Sequence, residues 1–394
     1  MTGHQLEVAD VFRLHGQEFL DRWGDVLSPQ QRKAFRDIVA CRTAALGEYV
    51  QQCDHCSHQV IKFKSCRNRH CPKCHCRARD QWLAARADEL LPVPYSHVVF
   101  TVPHEIAPLA LQNPRVVYAI LFRAAAEALL EMAADPKRLG ARIGFLAVLH
   151  TWSQRLQAHP HLHCVVPAGG LSPDGQRWIS PRKKDFFLPV KPLGRLFRRK
   201  FLEYLTAAFV AGDLSFYGSL RELAHPVCFE AWVESLKSKD WISHVKPPFG
   251  GPEQVLRYLA RYTHRVAISN GRLLGLEQGR VRFRWRDSKD HNQIKETSLD
   301  AVEFIRRFLL HVLHGGFVKI RHFGFLSNRN RRAMVNRCRE LLPPWTAPAE
   351  LAQPDMSMCP VCRVGHLHVV QLHTLKRLPL MAQAAQTPAV VDTS

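Results

Sequence analysis

The sequence predicts an α+β fold, with a mostly antiparallel sheet, flanking helices and a helical, metal-dependent module at the N-terminus. Three observations lead there. Strand-like segments mix with long amphipathic helices instead of alternating regularly with them. Residues 51–77 are rich in Cys and His and poor in apolar side chains, so something other than a hydrophobic core must fold them. And 394 residues are enough for two or three structural units.

The elements follow in order. Val8, Phe12, Phe19, Leu20 and Trp23 recur at helical spacing, and Ser28-Pro29 starts a second helix with Ser as cap and Pro at its first position. A further helix is expected from Asp80 to about Leu91. His97 to Val102, bounded by Pro94 and Pro103, reads as a β-branched strand. Residues 115–134 form a long apolar helix. Ile143–Leu149 and His161–Val166 are buried-type strands, followed by turns at Gly169-Gly170 and Pro173-Asp174-Gly175. Basic amphipathic helix is expected over 191–212, helix over 253–265, and helix again over 299–314. Between the last two, Arg280-Val281-Arg282-Phe283-Arg284-Trp285 alternates cationic and apolar side chains, as a strand with one packed face does.

Lys and Arg number 55 against 34 Asp and Glu, a formal charge of +21, which favours an anionic partner. No apolar run reaches the roughly 18 residues of a membrane helix, and the N-terminus carries no signal-peptide pattern. The expectation is a soluble intracellular protein with no membrane partner. Its 12 Cys then read as metal ligands or reduced thiols and not as a disulfide framework.

Cys53-x2-Cys56 and Cys71-x2-Cys74, fourteen residues apart, suit tetrahedral Zn²⁺ held by four thiolates, a structural site. Cys66 or His70 is an alternative ligand, and Cys41, His55, His75 and Cys76 crowd the same stretch. Arg67 and Arg69 make the module basic and a candidate DNA contact. Cys359-Pro360-Val361-Cys362 is half of a second such site, which His366, His368 or the more remote Cys338 would complete.

His161 and His163 alternate on a strand, so both imidazoles point to one side while Leu162 points to the other. A divalent ion needs a third ligand. Gln154 is the first candidate, folding back across the intervening turn, with His159 and His150 as rivals. The ion, Mg²⁺ or Mn²⁺, would polarise a phosphodiester. Tyr258 and Tyr262, at i,i+4 on a helix, offer two phenolic nucleophiles on one face, among Arg257, Arg261 and Arg265. Attack by a tyrosine gives a 5′-phosphotyrosine, frees a 3′-hydroxyl and retains the bond energy for rejoining. Arg282 and Arg284, with Arg321, Arg329, Arg331 and Arg332, are candidates to line a strand path, with Trp285 and Phe323 to stack on bases.

Six segments in this order closely resemble the rolling-circle transposases of the IS91 family: DVFRLHGQEFLDRW, CDHCSHQVIKFKSCRNRHCPKCH, YSHVVFTVPHE, HTWSQRLQAHPHLHCVVPAGGLSPDG, RYLARYTHRVAIS and EFIRRFLLHVLHGGFVKIRHFGFL. The resemblance implies a His-hydrophobic-His (HUH) endonuclease fold, His161 and His163 as metal ligands, Tyr258 and Tyr262 as nucleophiles, and structural zinc on the N-terminal cysteines. It also implies single-stranded DNA at transposon ends and target DNA as substrates, in the bacterial cytoplasm. The expected organisation is a helical and zinc-binding module over 1–92, a catalytic domain over 93–326, a basic region with the second CxxC over 327–375, and a disordered tail over 376–394. A conjugative relaxase would place its tyrosine before the His pair. A plasmid replication initiator shares the order found here and lacks only the zinc module and the C-terminal half. A zinc-dependent regulator would leave the His and Tyr motifs unused.

Overall fold

Period-two alternation divides the main sheet into an apolar face and a histidine face. A computed structural model describes residues 5–74, 82, 86, 89–183, 187–241, 243–249, 254–255, 267–287, 290–344 and 357–373. Strands β3 (Tyr95–Thr101), β4 (Gly144–Trp152) and β5 (Ala158–Pro167) lie in a five-stranded sheet with β8 (Ser243–Phe249) and β12 (Ile320–Gly324), in the order β12-β4-β5-β3-β8. All its pairings are antiparallel. Val98 and Phe100, Phe145, Ala147 and Leu149, and Leu162, Cys164 and Val166 point into the largest core. There they meet α3 (Ile106–Gln112), α4 (Pro114–Ala134), α5 (Val190–Val210) and α6 (Pro226–Lys237). The intervening residues of the same strands, including His97, His150, His161 and His163, therefore share the opposite face. The predicted antiparallel α+β architecture is what the structure shows.

A second core joins the N-terminal helices to residues 267–309. Helices α1 (Val8–Trp23) and α2 (Pro29–Ala40) pack on α7 (Ala301–Leu310) and on the three-stranded sheet of β9 (Leu273–Glu277), β10 (Arg280–Asp287) and β11 (Gln293–Asp300). Phe12, Phe35, Phe283, Phe304 and Phe308 are buried together there, with the Phe12 and Phe308 rings edge-on at 5.4 Å. The α2 start is a reciprocal capping box: the Ser28 hydroxyl accepts from the Gln31 amide, and the Ser28 amide donates to the Gln31 side chain. Along β10 the predicted alternation holds, with Val281 and Phe283 buried and Arg280, Arg282, Arg284 and Arg286 exposed.

The third sheet is small. Hairpin β1 (Glu48–Cys53) and β2 (Gln59–Phe63) pairs along β1 with β13 (Leu367–His373) from the far end of the chain. No helix of the described residues is long and apolar enough to cross a membrane. The expected helix from Asp80 falls almost wholly, and the tail from 376 wholly, outside the described residues, as do His75 and Cys76.

Candidate metal centres

Antiparallel register brings three imidazoles together. In the β4–β5 pairing His150 stands directly opposite His161, and His163 lies two residues further on the same face. One ligand nitrogen from each of His150, His161 and His163 falls within 4.8 Å of the other two. His161 Nδ1 is 2.7 Å from the His159 carbonyl, which only accepts, so Nδ1 carries the proton and Nε2 keeps its lone pair. His163 Nδ1 is 2.8 Å from His97 Nε2 on the neighbouring strand, which leaves His163 Nε2 for the cluster. Burial pushes the His161 imidazole down to about 4 and that of His163 well below its ordinary value, with neighbouring imidazoles and Lys319 adding to the second shift. The rings are thus neutral at neutral pH, the form that binds a metal.

Gln154 does not join them. It is exposed in the β4–β5 turn, and its carbonyl accepts from Arg272 at 2.5 Å. The third member is His150, because cross-strand register and not proximity in sequence decides who faces whom. His97 is the residue that sequence reasoning passed over. Its only signal was a histidine on a predicted strand, out of phase with Val98 and Phe100 as His161 and His163 are with Leu162 and Cys164. Lys319 lies beside the site: its carbonyl accepts from the Leu149 amide, its ammonium is 4.9 Å from the Trp152 ring centre, and burial lowers it to about 7.

The cysteines divide differently from the expectation. Cys71 and Cys74 cluster with Cys41 and Cys66, not with Cys53 and Cys56, which instead meet Cys359 and Cys362. The cause is strand pairing. Hairpin β1–β2 carries Cys53 and Cys56 to its tip and towards β13, while the segment after β2 returns to the end of α2, where Cys41 sits. In the first cluster Sγ–Sγ distances are 3.6 Å for Cys41–Cys74 and 3.5 Å for Cys66–Cys74. Those are far beyond a disulfide and close to the edge of about 3.8 Å that Zn–S bonds of about 2.3 Å give a tetrahedron. Hydrogen bonding from Cys66 holds the Cys41 thiol down at about 7, while contacts among the same thiols push Cys66 and Cys71 up.

His70 is not a ligand either. It is buried, and its Nε2 accepts from the Leu313 amide at 3.2 Å, which ties the cysteine module to the loop after α7. Arg69 serves the same join, donating to the carbonyls of Phe317 at 2.7 Å and His314 at 2.9 Å. It clamps these two segments together, and both Arg69 and Arg67 are exposed. Likewise Phe323 packs on Phe145 at 5.1 Å and borders the main core, which takes it from the base-stacking set. His366 and His368 turn to Ser357 and Asp54, and Cys338 is buried in another core, so none completes a site with Cys359. Arg282 is exposed between Glu277 and Glu296, and Arg284 is exposed on the same strand face. Tyr258, Tyr262, Arg257, Arg261 and Arg265 lie outside the described residues.

Residues 144–333 match a family model described as "Putative transposase", and residues 11–102 match one described as "Transposase zinc-binding domain". The chain is 50% identical over 380 residues to "Putative transposase y4qJ" of Sinorhizobium fredii, covering 93% of this chain and 95% of that protein. It is 32% identical over 298 residues to "Transposase for insertion sequence element IS801" of Pseudomonas savastanoi pv. phaseolicola, covering 74% of this chain and 69% of that one. The first cysteine cluster lies within the zinc-binding match, and its four-thiol donor set supports Zn²⁺ there.

Proposed function

The chain belongs to the IS91 family of transposases, and from that premise we propose that it nicks and rejoins one DNA strand at the ends of its element, by rolling-circle transposition through a 5′-phosphotyrosine. The observation that carries the reading is the His150, His161 and His163 triad on one sheet face. Three imidazoles suit a divalent ion that keeps open positions for a phosphate. Nitrogen donors favour Mn²⁺ over Mg²⁺, a harder ion that prefers oxygen. When bound, such an ion supplies charge stabilisation to the scissile phosphate and to the phosphorane-like transition state.

The rest falls to the chain. His97 and the His159 carbonyl fix the orientation of two ligand rings. Tyr258 and Tyr262 are assigned as nucleophiles, each giving up its proton as its oxygen attacks phosphorus and the 3′-oxygen leaves. Val255, three positions before Tyr258 in the sequence, is buried in the same cluster as Val148 and Val165, which flank His163 on the sheet face, and this supports the reading. The exposed arginine row of β10 is a candidate path for the strand.

The test is incubation with labelled single-stranded oligonucleotides carrying the element's ends, plus Mn²⁺. A covalent protein–DNA band on a denaturing gel, lost in the Tyr258→Phe, Tyr262→Phe double variant, is expected. Cleavage that persists in that variant would overturn the tyrosine assignment.

A further inference from the structure

We propose that Cys53, Cys56, Cys359 and Cys362 form a second structural zinc site, which fastens the two ends of the chain together and is separate from the ion held by Cys41, Cys66, Cys71 and Cys74. The four sulfurs lie within 4.8 Å of one another, with Cys53–Cys362 at 3.7 Å and Cys56–Cys359 at 3.6 Å. These separations again fit the edge of about 3.8 Å of a zinc tetrathiolate and exclude disulfides.

The two half-sites are built alike, although 303 residues separate Cys56 from Cys359. Each has the form Cys-x2-Cys followed by a residue in the left-handed region, Ser57 at φ 57° and Arg363 at φ 54°. In each, that residue's amide donates to the carbonyl of the first Cys, at 3.2 Å for Ser57–Cys53 and 3.0 Å for Arg363–Cys359. In each, backbone amides point at sulfur: His55 and Cys56 at Cys53 Sγ, and Gly365 at Cys362 Sγ. Amides so aimed stabilise thiolates, the form that binds zinc. Gly365 fits where a Cβ would lie 2.7 Å from Cys53 Sγ, so the halves interlock closely.

The surroundings supply the physical need. The β1–β2–β13 sheet has almost no core: Cys53, Cys359 and Leu367 are its only fully buried cluster members among the described residues, while Ile61, Val369 and Leu372 are exposed. A three-stranded sheet with so little apolar burial requires another source of folding free energy, and metal binding is the one its residues offer.

The experiment uses the full chain. Zinc released on denaturation is counted, and native protein is alkylated before and after chelation, with exposed Cys228 as the internal control for a free thiol. Two zinc ions per chain are expected, with Cys56 and Cys362 protected in the native protein and becoming reactive together on chelation. The Cys359→Ser, Cys362→Ser double variant should retain one zinc, and so should Cys53→Ser, Cys56→Ser. One zinc in the wild-type chain, or native labelling of Cys56 and Cys362 as fast as Cys228, overturns the site. Both readouts on wild-type protein hold whether or not the variants fold.

Discussion

His97 Nε2 lies 2.8 Å from His163 Nδ1 across the β3–β5 pairing, with the two rings nearly parallel at an interplanar angle of 12°. Burial lowers His97 to about 3, so it stays neutral and acts as the hydrogen-bond partner of the His163 ring. Replacing His97 with Ala should weaken Mn²⁺ binding by roughly 10–100-fold, the usual range for an outer partner of a metal-bound histidine. Calorimetric titration of Mn²⁺ measures it, and zinc content should not change. An unaltered affinity would remove His97 from the site.

His150 and Gln154 separate the register argument from the proximity argument. His150→Ala should abolish metal-dependent strand cleavage, as His161→Ala and His163→Ala should. Gln154→Ala should leave cleavage within a few-fold of wild type, because its side chain stands exposed on a turn. The same oligonucleotide assay compares all four, and a dead Gln154 variant beside an active His150 variant would reverse the assignment.

Gly324 predicts a backbone cost. It sits at φ +60° in β12, and a Cβ there would come 1.9 Å from the Ile143 carbonyl oxygen. Gly324→Ala should lower stability by at least about 1–3 kcal/mol, since strained φ and a clash with backbone add. Urea unfolding followed by tryptophan fluorescence would show it, and a neutral result would mean that the β12–β4 edge relaxes freely.

Glu303 predicts a pH dependence. Arg306 donates to its carboxylate at 2.5 and 2.8 Å and Arg307 at 2.6 Å, and the pair holds the carboxyl down at about 2 against an ordinary 4.5. A depressed folded-state value means that this contribution is complete above about pH 4.5 and is lost as pH falls towards 2. Glu303→Gln should therefore lower the melting temperature at pH 6 and converge with wild type near pH 2–3. The carboxylate is about a third exposed, so the difference should be small and should shrink with added salt.

Much was legible in the chain because it depended on local periodicity. Alternation in His161-Leu162-His163 placed both rings on one face, alternation in β10 separated arginines from core, and Ser28-Pro29 marked a helix start; each follows from backbone geometry within a few residues. The cysteines show where that ends. Two CxxC knuckles fourteen residues apart read as one site, since nearest in sequence is the best estimate of nearest in space when pairing is unknown. Only strand pairing could send one knuckle to β13 and return the other to Cys41.

The third histidine and His97 were decided the same way, by which residue of β4 faces His161 and which of β3 neighbours His163. The sequence by itself determined the chemistry available: imidazoles on one strand face, thiols in pairs, and an excess of positive charge. The tertiary structure decided the partnerships, because register in an antiparallel sheet is set by the whole buried face, and no short stretch of residues contains it.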